Sequence, residues 1–197
     1  MDRLPAVIVA AAVVATVGCN EGAEARPVSL SRVNAAKRKA APAKVEPIAE
    51  FCDVYATPDD AVPFSYPKLV DAAPTSRGWS WINLWATWCE PCIEEMPMLL
   101  EWHKRLGAAG TRVSLSFLSV DEEAEAVAKF RQLNPTLPKG PRVKDPGALE
   151  PWLVSLGLDG GAAIPINIFV DGEMNIRCVR TGALAERHYE TIARLMR

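Results

Sequence analysis

Trp79-Ser80-Trp81-Ile82-Asn83-Leu84-Trp85-Ala86-Thr87-Trp88-Cys89-Glu90-Pro91-Cys92 is the stretch whose reading decides the fold. Residues 79–86 are apolar and aromatic enough for a central strand covered on both faces. Beyond Cys92, residues Ile93, Met96, Leu99, Leu100, Trp102 and Leu106 recur at helical spacing. Gly107 and Gly110 end that helix, and Pro97 inside it predicts a kink. Cys89 therefore falls at a strand-to-helix junction. Unpaired backbone N–H groups and the helix dipole favour a thiolate there. Cys89 is the candidate nucleophile. Cys92, one turn in, is placed to resolve a mixed disulfide.

The bulk numbers narrow the chemistry. The chain has 197 residues, enough for one domain with a real core plus extensions. Its net charge of −2 points to no nucleic-acid partner. The five cysteines are Cys19, Cys52, Cys89, Cys92 and Cys178, against two histidines, His103 and His188. That scarcity, with no second Cys-x-x-Cys, argues against a zinc site, so no metal is assigned. Both histidines read as structural.

Residues 1–18 read as an export signal. Arg3 is basic and Leu4 to Val17 is almost wholly apolar, yet too short to span a bilayer comfortably. Thr16-Val17-Gly18-Cys19 resembles the lipobox of bacterial lipoproteins, with Thr16 in place of the usual leucine. The resemblance implies cleavage before Cys19 and lipidation of its sulfur. A soluble exported protein and an uncleaved anchor are the alternatives. Each places the chain in an oxidising compartment. Residues 19–50 are rich in Ala, Pro and charge without apolar periodicity, so a flexible tether is expected.

The folded domain is expected over residues 51–197. Phe51 to Tyr55 reads as a short strand, and Pro58, Pro63 and Pro67 mark an irregular stretch. Arg112 to Val120 is a second strand. Glu122 to Leu133 is a helix, with Asp121 and Glu122 as its caps. Pro146 to Leu156 is another helix. Ile164 to Val170 and Met174 to Arg180 form a hairpin around Asp171-Gly172, and Leu184 to Met196 closes the chain as an amphipathic helix. Early parallel crossovers followed by a hairpin give a mixed β-sheet flanked by helices.

That order is thioredoxin-like, and from about Ala61 onward the chain resembles the TlpA/ResA group of thiol-disulfide oxidoreductases. Asn83-Leu84-Trp85-Ala86-Thr87-Trp88-Cys89 carries the resemblance most closely. Pro97 matches the helix proline of thioredoxins, Ile164-Pro165 their cis-proline, and Val120-Asp121-Glu122 the group's strand end. The resemblance implies an α/β thioredoxin-like fold and a periplasmic or membrane-tethered protein that reduces partner disulfides. It implies no small-molecule cofactor, re-reduction by a membrane electron donor, and cytochrome c maturation as one use.

Residue roles follow from chemistry and resemblance together. Glu90 and Pro91 set charge and rigidity between the cysteines. A negative Glu90 disfavours the Cys89 thiolate and so favours a reducing poise, unless it points into solvent. Asn83 stands where thioredoxin itself has an aspartate, so another acid must handle protons. Glu95, three residues past Cys92, has the offset at which the group carries such a glutamate, and burial would raise its pKa. Ile164 and Pro165 are expected to offer backbone to a client peptide. Trp85 and Trp88 are expected to shield the site and form an apolar docking surface. With Cys19 lipidated and the redox pair set aside, Cys52 and Cys178 remain, either as a structural disulfide or as two separate buried thiols. A peroxiredoxin-like peroxidase lacks its expected Pro-x-x-x-Thr-x-x-Cys setting ahead of Cys89. A binding or adaptor module with a permanently closed Cys89–Cys92 bond is the alternative outside enzymes.

Overall fold

The computed structural model describes residues 45–137 and 140–197. The export segment over residues 1–18, Cys19 and the tether up to residue 44 lie outside the described residues. Five strands form one sheet in the order β1-β5-β4-β2-β3. They are β1 (Val54–Tyr55), β2 (Trp79–Trp85), β3 (Val113–Ser119), β4 (Ile166–Val170) and β5 (Ile176–Thr181). The helices are α1 (Ile48–Phe51), α2 (Glu90–Ala108), α3 (Ala124–Leu133), α4 (Leu149–Ser155) and α5 (Tyr189–Leu195). This is the mixed sheet flanked by helices that the sequence order predicts.

β2 is the centre of the sheet. It runs parallel to β3, with Trp85 opposite Ser119, and antiparallel to β4, with Leu84 opposite Ile166. Six of its seven residues are buried, as both-face coverage requires. Trp81 stacks on Trp102 of α2 at 6.4 Å and meets Phe169 of β4 at 5.4 Å. Trp102 packs edge-on to Tyr189 of α5 at 5.6 Å, so α2 and α5 share one layer. The 19-residue α2 continues through Pro97.

One register fact places the site. Because Leu84 pairs Ile166, which pairs Thr181, the end of β2, the start of β4 and the end of β5 share one end of the sheet. The end of β3 joins them through the Trp85–Ser119 pair. Ala86–Cys89, Ile164-Pro165, Val120-Asp121 and Gly182–Leu184 therefore converge on that end.

The N-terminal boundary differs from expectation. Phe51 closes a helix that begins at Ile48, and only Val54–Tyr55 is strand. The ring of Phe51 is fully buried, 6.5 Å from Phe169, Ile48 packs against the same core and Thr191 Oγ1 donates to Glu46 O at 3.0 Å, so ordered packing starts ahead of residue 51.

The edge of β3 is covered by residues 140–143. Ser119 N–H donates to Pro141 O at 3.0 Å, and Val143 N–H donates to Ser119 O at 2.9 Å. Such covering removes a free strand edge. Gly140 permits the approach, since a Cβ there would lie 2.0 Å from Phe117 O. Gly140→Ala is expected to cost about 1–3 kcal/mol, because the obstacle is backbone rather than a movable side chain. Chemical denaturation that gave an unchanged midpoint would refute this.

Candidate active site

The site is built on the junction between β2 and α2. Cys89 is the N-cap of α2, and its N–H donates to Ala86 O at 3.1 Å. Glu90 and Pro91 open the helix and are exposed, while Cys92 lies one turn in. Cys89 and Cys92 are joined as a disulfide, with their Cα atoms 5.3 Å apart. Cys92 has no exposed surface and Cys89 retains 5%. An incoming sulfur can therefore reach only Cys89.

Glu95 lies on the same helix and is 4% exposed. Its Oε1 accepts from Asn83 Nδ2 at 2.8 Å, and its Oε2 accepts from Leu184 N–H at 2.7 Å. Burial raises its pKa. The Leu184 N–H and the amides of Asn83 and Asn167 pull it partly back. A carboxylate so placed can take and return a proton while staying out of water.

Asn167 belongs to this network. It stands directly opposite Asn83 across the β2–β4 pair and is fully buried. Its Oδ1 accepts from Asn83 Nδ2 at 3.1 Å and from Trp81 Nε1 at 2.9 Å. Trp81 thus steadies Asn167, Asn167 steadies Asn83, and Asn83 orients Glu95. Sequence reasoning passed over Asn167. Its signal was the one polar residue inside the apolar run Ile166–Val170.

Two aromatic assignments part company. Trp88 is 71% exposed, as a docking residue needs to be. Trp85 is 3% exposed and packs against Phe130 at 4.9 Å, so it is a core residue and offers no docking surface. The physical reason is position. Trp85 is the last residue of β2, which is covered on both faces, whereas Trp88 lies in the turn beyond it.

The expected cap at Asp121 is also corrected. Glu123 is the N-cap of α3, with no side-chain bond. Asp121 turns the other way, and its carboxylate accepts from Thr87 N–H and the Thr87 and Ser119 hydroxyls. It thus holds the turn that leads to Cys89.

On the facing side, the Ile164-Pro165 bond is cis. Neither the N–H nor the C=O of Ile164 is engaged among the described residues, while Pro165 O accepts from Gly182 N–H at 2.8 Å. A groove of about 670 Å³ lies against Ile164, with Leu158, Ala162 and Thr181 among its walls. His188 is buried, its Nδ1 accepting from Ala185 N–H at 3.0 Å, and His103 Nε2 meets Val113 O at 3.0 Å. Both are tied into packing. Cys52 and Cys178 form a disulfide with Cα atoms 5.4 Å apart.

The likeness to known proteins agrees with the fold. No protein-family model matches the chain. Among solved structures it resembles the thioredoxin domain of a thiol-disulfide oxidoreductase from Bacteroides vulgatus, at TM-score 0.52 and 16% identity, covering 70% of this chain and 96% of that one. A secreted thiol-disulfide isomerase from Corynebacterium glutamicum gives TM-score 0.50 at 20% identity, covering 72% and 93%. These likenesses define a thioredoxin-like fold. Among curated proteins, the thioredoxin-like protein YneN of Bacillus subtilis is 35% identical over 49 residues. That match spans 25% of this chain and 29% of the relative. No helix among the described residues is long and apolar enough to cross a membrane.

Proposed function

We propose that this protein is an exported thiol-disulfide oxidoreductase that reduces disulfides in client proteins. One observation carries the reading: Cys89, which keeps the pair's only exposed surface, caps a long helix at the sheet end where Ile164 leaves its backbone free. The reduced Cys89 thiolate attacks a client disulfide and expels one client thiolate. Cys92 gives its proton to Glu95 and attacks Cys89 Sγ, breaking the mixed disulfide. The two expelled client thiolates take up one proton returned by Glu95 and one from water, and Cys89–Cys92 leaves oxidised, two electrons having passed to the client. Ile164 and Pro165 steady the extended client beside the groove, and exposed Trp88 covers the other flank. Glu90 is exposed, so water and salt screen its charge and it does little to the Cys89 thiolate.

The lipid anchor on Cys19 holds the protein at the periplasmic face of a bacterial membrane, and a membrane donor re-reduces it. Cytochrome c maturation, where thiols must be kept reduced, is the use it suits. A titration with mild dithiol reductant tests the core of the proposal. Cys89–Cys92 is expected to open in the native protein. If it stays closed, the domain is a binding module and the oxidoreductase reading fails.

Glu95→Gln tests proton handling. Wild-type exchange is expected to show an inflection above the ordinary carboxylate range, absent from the variant. Gln can keep the Leu184 bond and, with Asn83 rotated, the Asn83 bond. Stability has a matching sign. The folded state binds the Glu95 proton more tightly than the unfolded chain. That contribution is full below the unfolded pKa and is lost as pH rises through the folded one. A variant that kept the wild-type pH profile in both measurements would leave Glu95 a bystander.

A further inference from the structure

The turn that presents the nucleophile is fastened to the neighbouring strand by one buried carboxylate. Cys89 N–H closes the turn on Ala86 O, leaving Thr87 second in it. Thr87 N–H donates to both oxygens of Asp121, at 3.0 and 3.1 Å, and its hydroxyl donates to Oδ1 at 2.7 Å. Ser119 Oγ donates to Oδ2 at 2.8 Å and accepts the N–H of Asp121 at 3.2 Å. Asp121 is 2% exposed.

We propose that Asp121 is a positioning residue for exchange at Cys89: it pins the presenting turn to the end of β3 and fixes a negative charge behind the attacking sulfur. The inference rests on reading Cys89 as the nucleophile. An ionised carboxylate is an acceptor with no proton of its own, so one group can gather the Thr87 N–H and both hydroxyls. Bonds to a charged acceptor are also the stronger kind. Without it, the Thr87 N–H would be a part-buried orphan and the turn would lose its tie to the sheet.

The charge has a consequence for the sulfur. Thr87 is two residues from Cys89, which places the carboxylate on the order of 10 Å from the thiol. A like charge at that range disfavours the thiolate by roughly 0.3–1 pH unit, depending on the effective dielectric. Other charges border the turn. Glu90 and Glu94 are exposed on α2, Glu95 is buried on α2, and Glu122 and Glu123 are exposed after β3. Arg142 is the nearby cation, its Nη1 donating to the carbonyls of Asp121 at 3.3 Å and Glu122 at 3.1 Å. The Ile164-Pro165 and Gly182–Leu184 segments carry no charge. Among these acids, Asp121 is both buried and bonded to the turn itself.

The test uses the full chain with Cys92→Ser, so that Cys89 is a free thiol whether or not the protein exchanges with clients. Its alkylation by iodoacetamide is followed against pH. Asp121→Asn keeps an oxygen for Thr87 N–H and an amide that the hydroxyls can accept from, so it removes chiefly the charge. The alkylation midpoint is expected to fall by roughly 0.3–1 pH unit. Thr87→Val keeps the charge but removes one bond. Hydrogen exchange at the Thr87 and Cys89 amides is expected to quicken several-fold, and Thr87→Ser is expected to restore the wild-type rate. An unmoved midpoint in folded Asp121→Asn, or wild-type amide exchange in Thr87→Val, overturns the proposal. If Asp121→Asn does not fold, Thr87→Val decides alone. Failure of the wild type to reduce any disulfide would sink the oxidoreductase reading while leaving both readouts measurable.

Discussion

Serine in place of Cys89 is expected to slow disulfide exchange roughly a thousandfold or more, whereas serine at Cys92 is expected to leave the protein covalently attached to its client. The asymmetry follows from geometry. Cys89 caps α2, where helix N–H groups favour a thiolate, and it keeps the pair's only exposed surface. A serine hydroxyl there is not ionised at neutral pH and cannot attack sulfur. With Cys92→Ser the first attack proceeds, but no second sulfur follows to break the mixed disulfide. Intact mass of the variant recovered from cells should then show adducts that a dithiol releases. Adducts trapped by Cys89→Ser instead would reverse the two roles. Identifying the captured proteins would also name the client class.

How much of this was readable beforehand depends on how local each signal was. β2 and α2 were legible because strand and helix periodicities change over within one continuous run, Trp79 to Leu106. The hairpin of β4 and β5 was legible from the Asp171-Gly172 turn between two apolar runs. The four-residue α1 was not, since a single turn has no periodicity to detect and its place is fixed by burial of Phe51.

The site divides in the same way. Glu95 was singled out by its offset of one helical turn from Cys92, whereas its observed partners, Asn83 and Leu184, lie 12 and 89 residues away. Asp121 was misread because a local cap is the usual fate of an acid before a helix, while its true partner Thr87 lies 34 residues back. Trp85 and Trp88 carry identical side chains three residues apart. Only the strand's end point tells which one faces the core. The Cys52–Cys178 pairing was open on parity alone, since nothing local links residues 126 apart.

That long-range bond carries the other large effect. Closing a loop of this length removes about 4–5 kcal/mol of unfolded-state entropy on the chain-entropy account. Single domains are stable by only about 5–15 kcal/mol, so the bond is about a quarter of the total or more. Its placement adds to the argument. It ties the segment between α1 and β1 to the fully buried Cys178 of β5, which pairs Tyr55 on one side and Phe169 on the other. α1 and β1 are too short to hold themselves there. The short β1–β5 ladder, the burial of Phe51, Arg180 Nη1 donating to Phe51 O at 2.9 Å and Asp53 accepting from Thr181 N–H at 2.6 Å also hold them. Replacing both cysteines by alanine is expected to lower Tm by about 10–15 °C in calorimetry. An unchanged Tm would mean that the two thiols are not bonded in the protein. Protein made in a reducing cytoplasm should melt at the lower temperature until oxidised, so the domain reaches full stability only in an oxidising compartment.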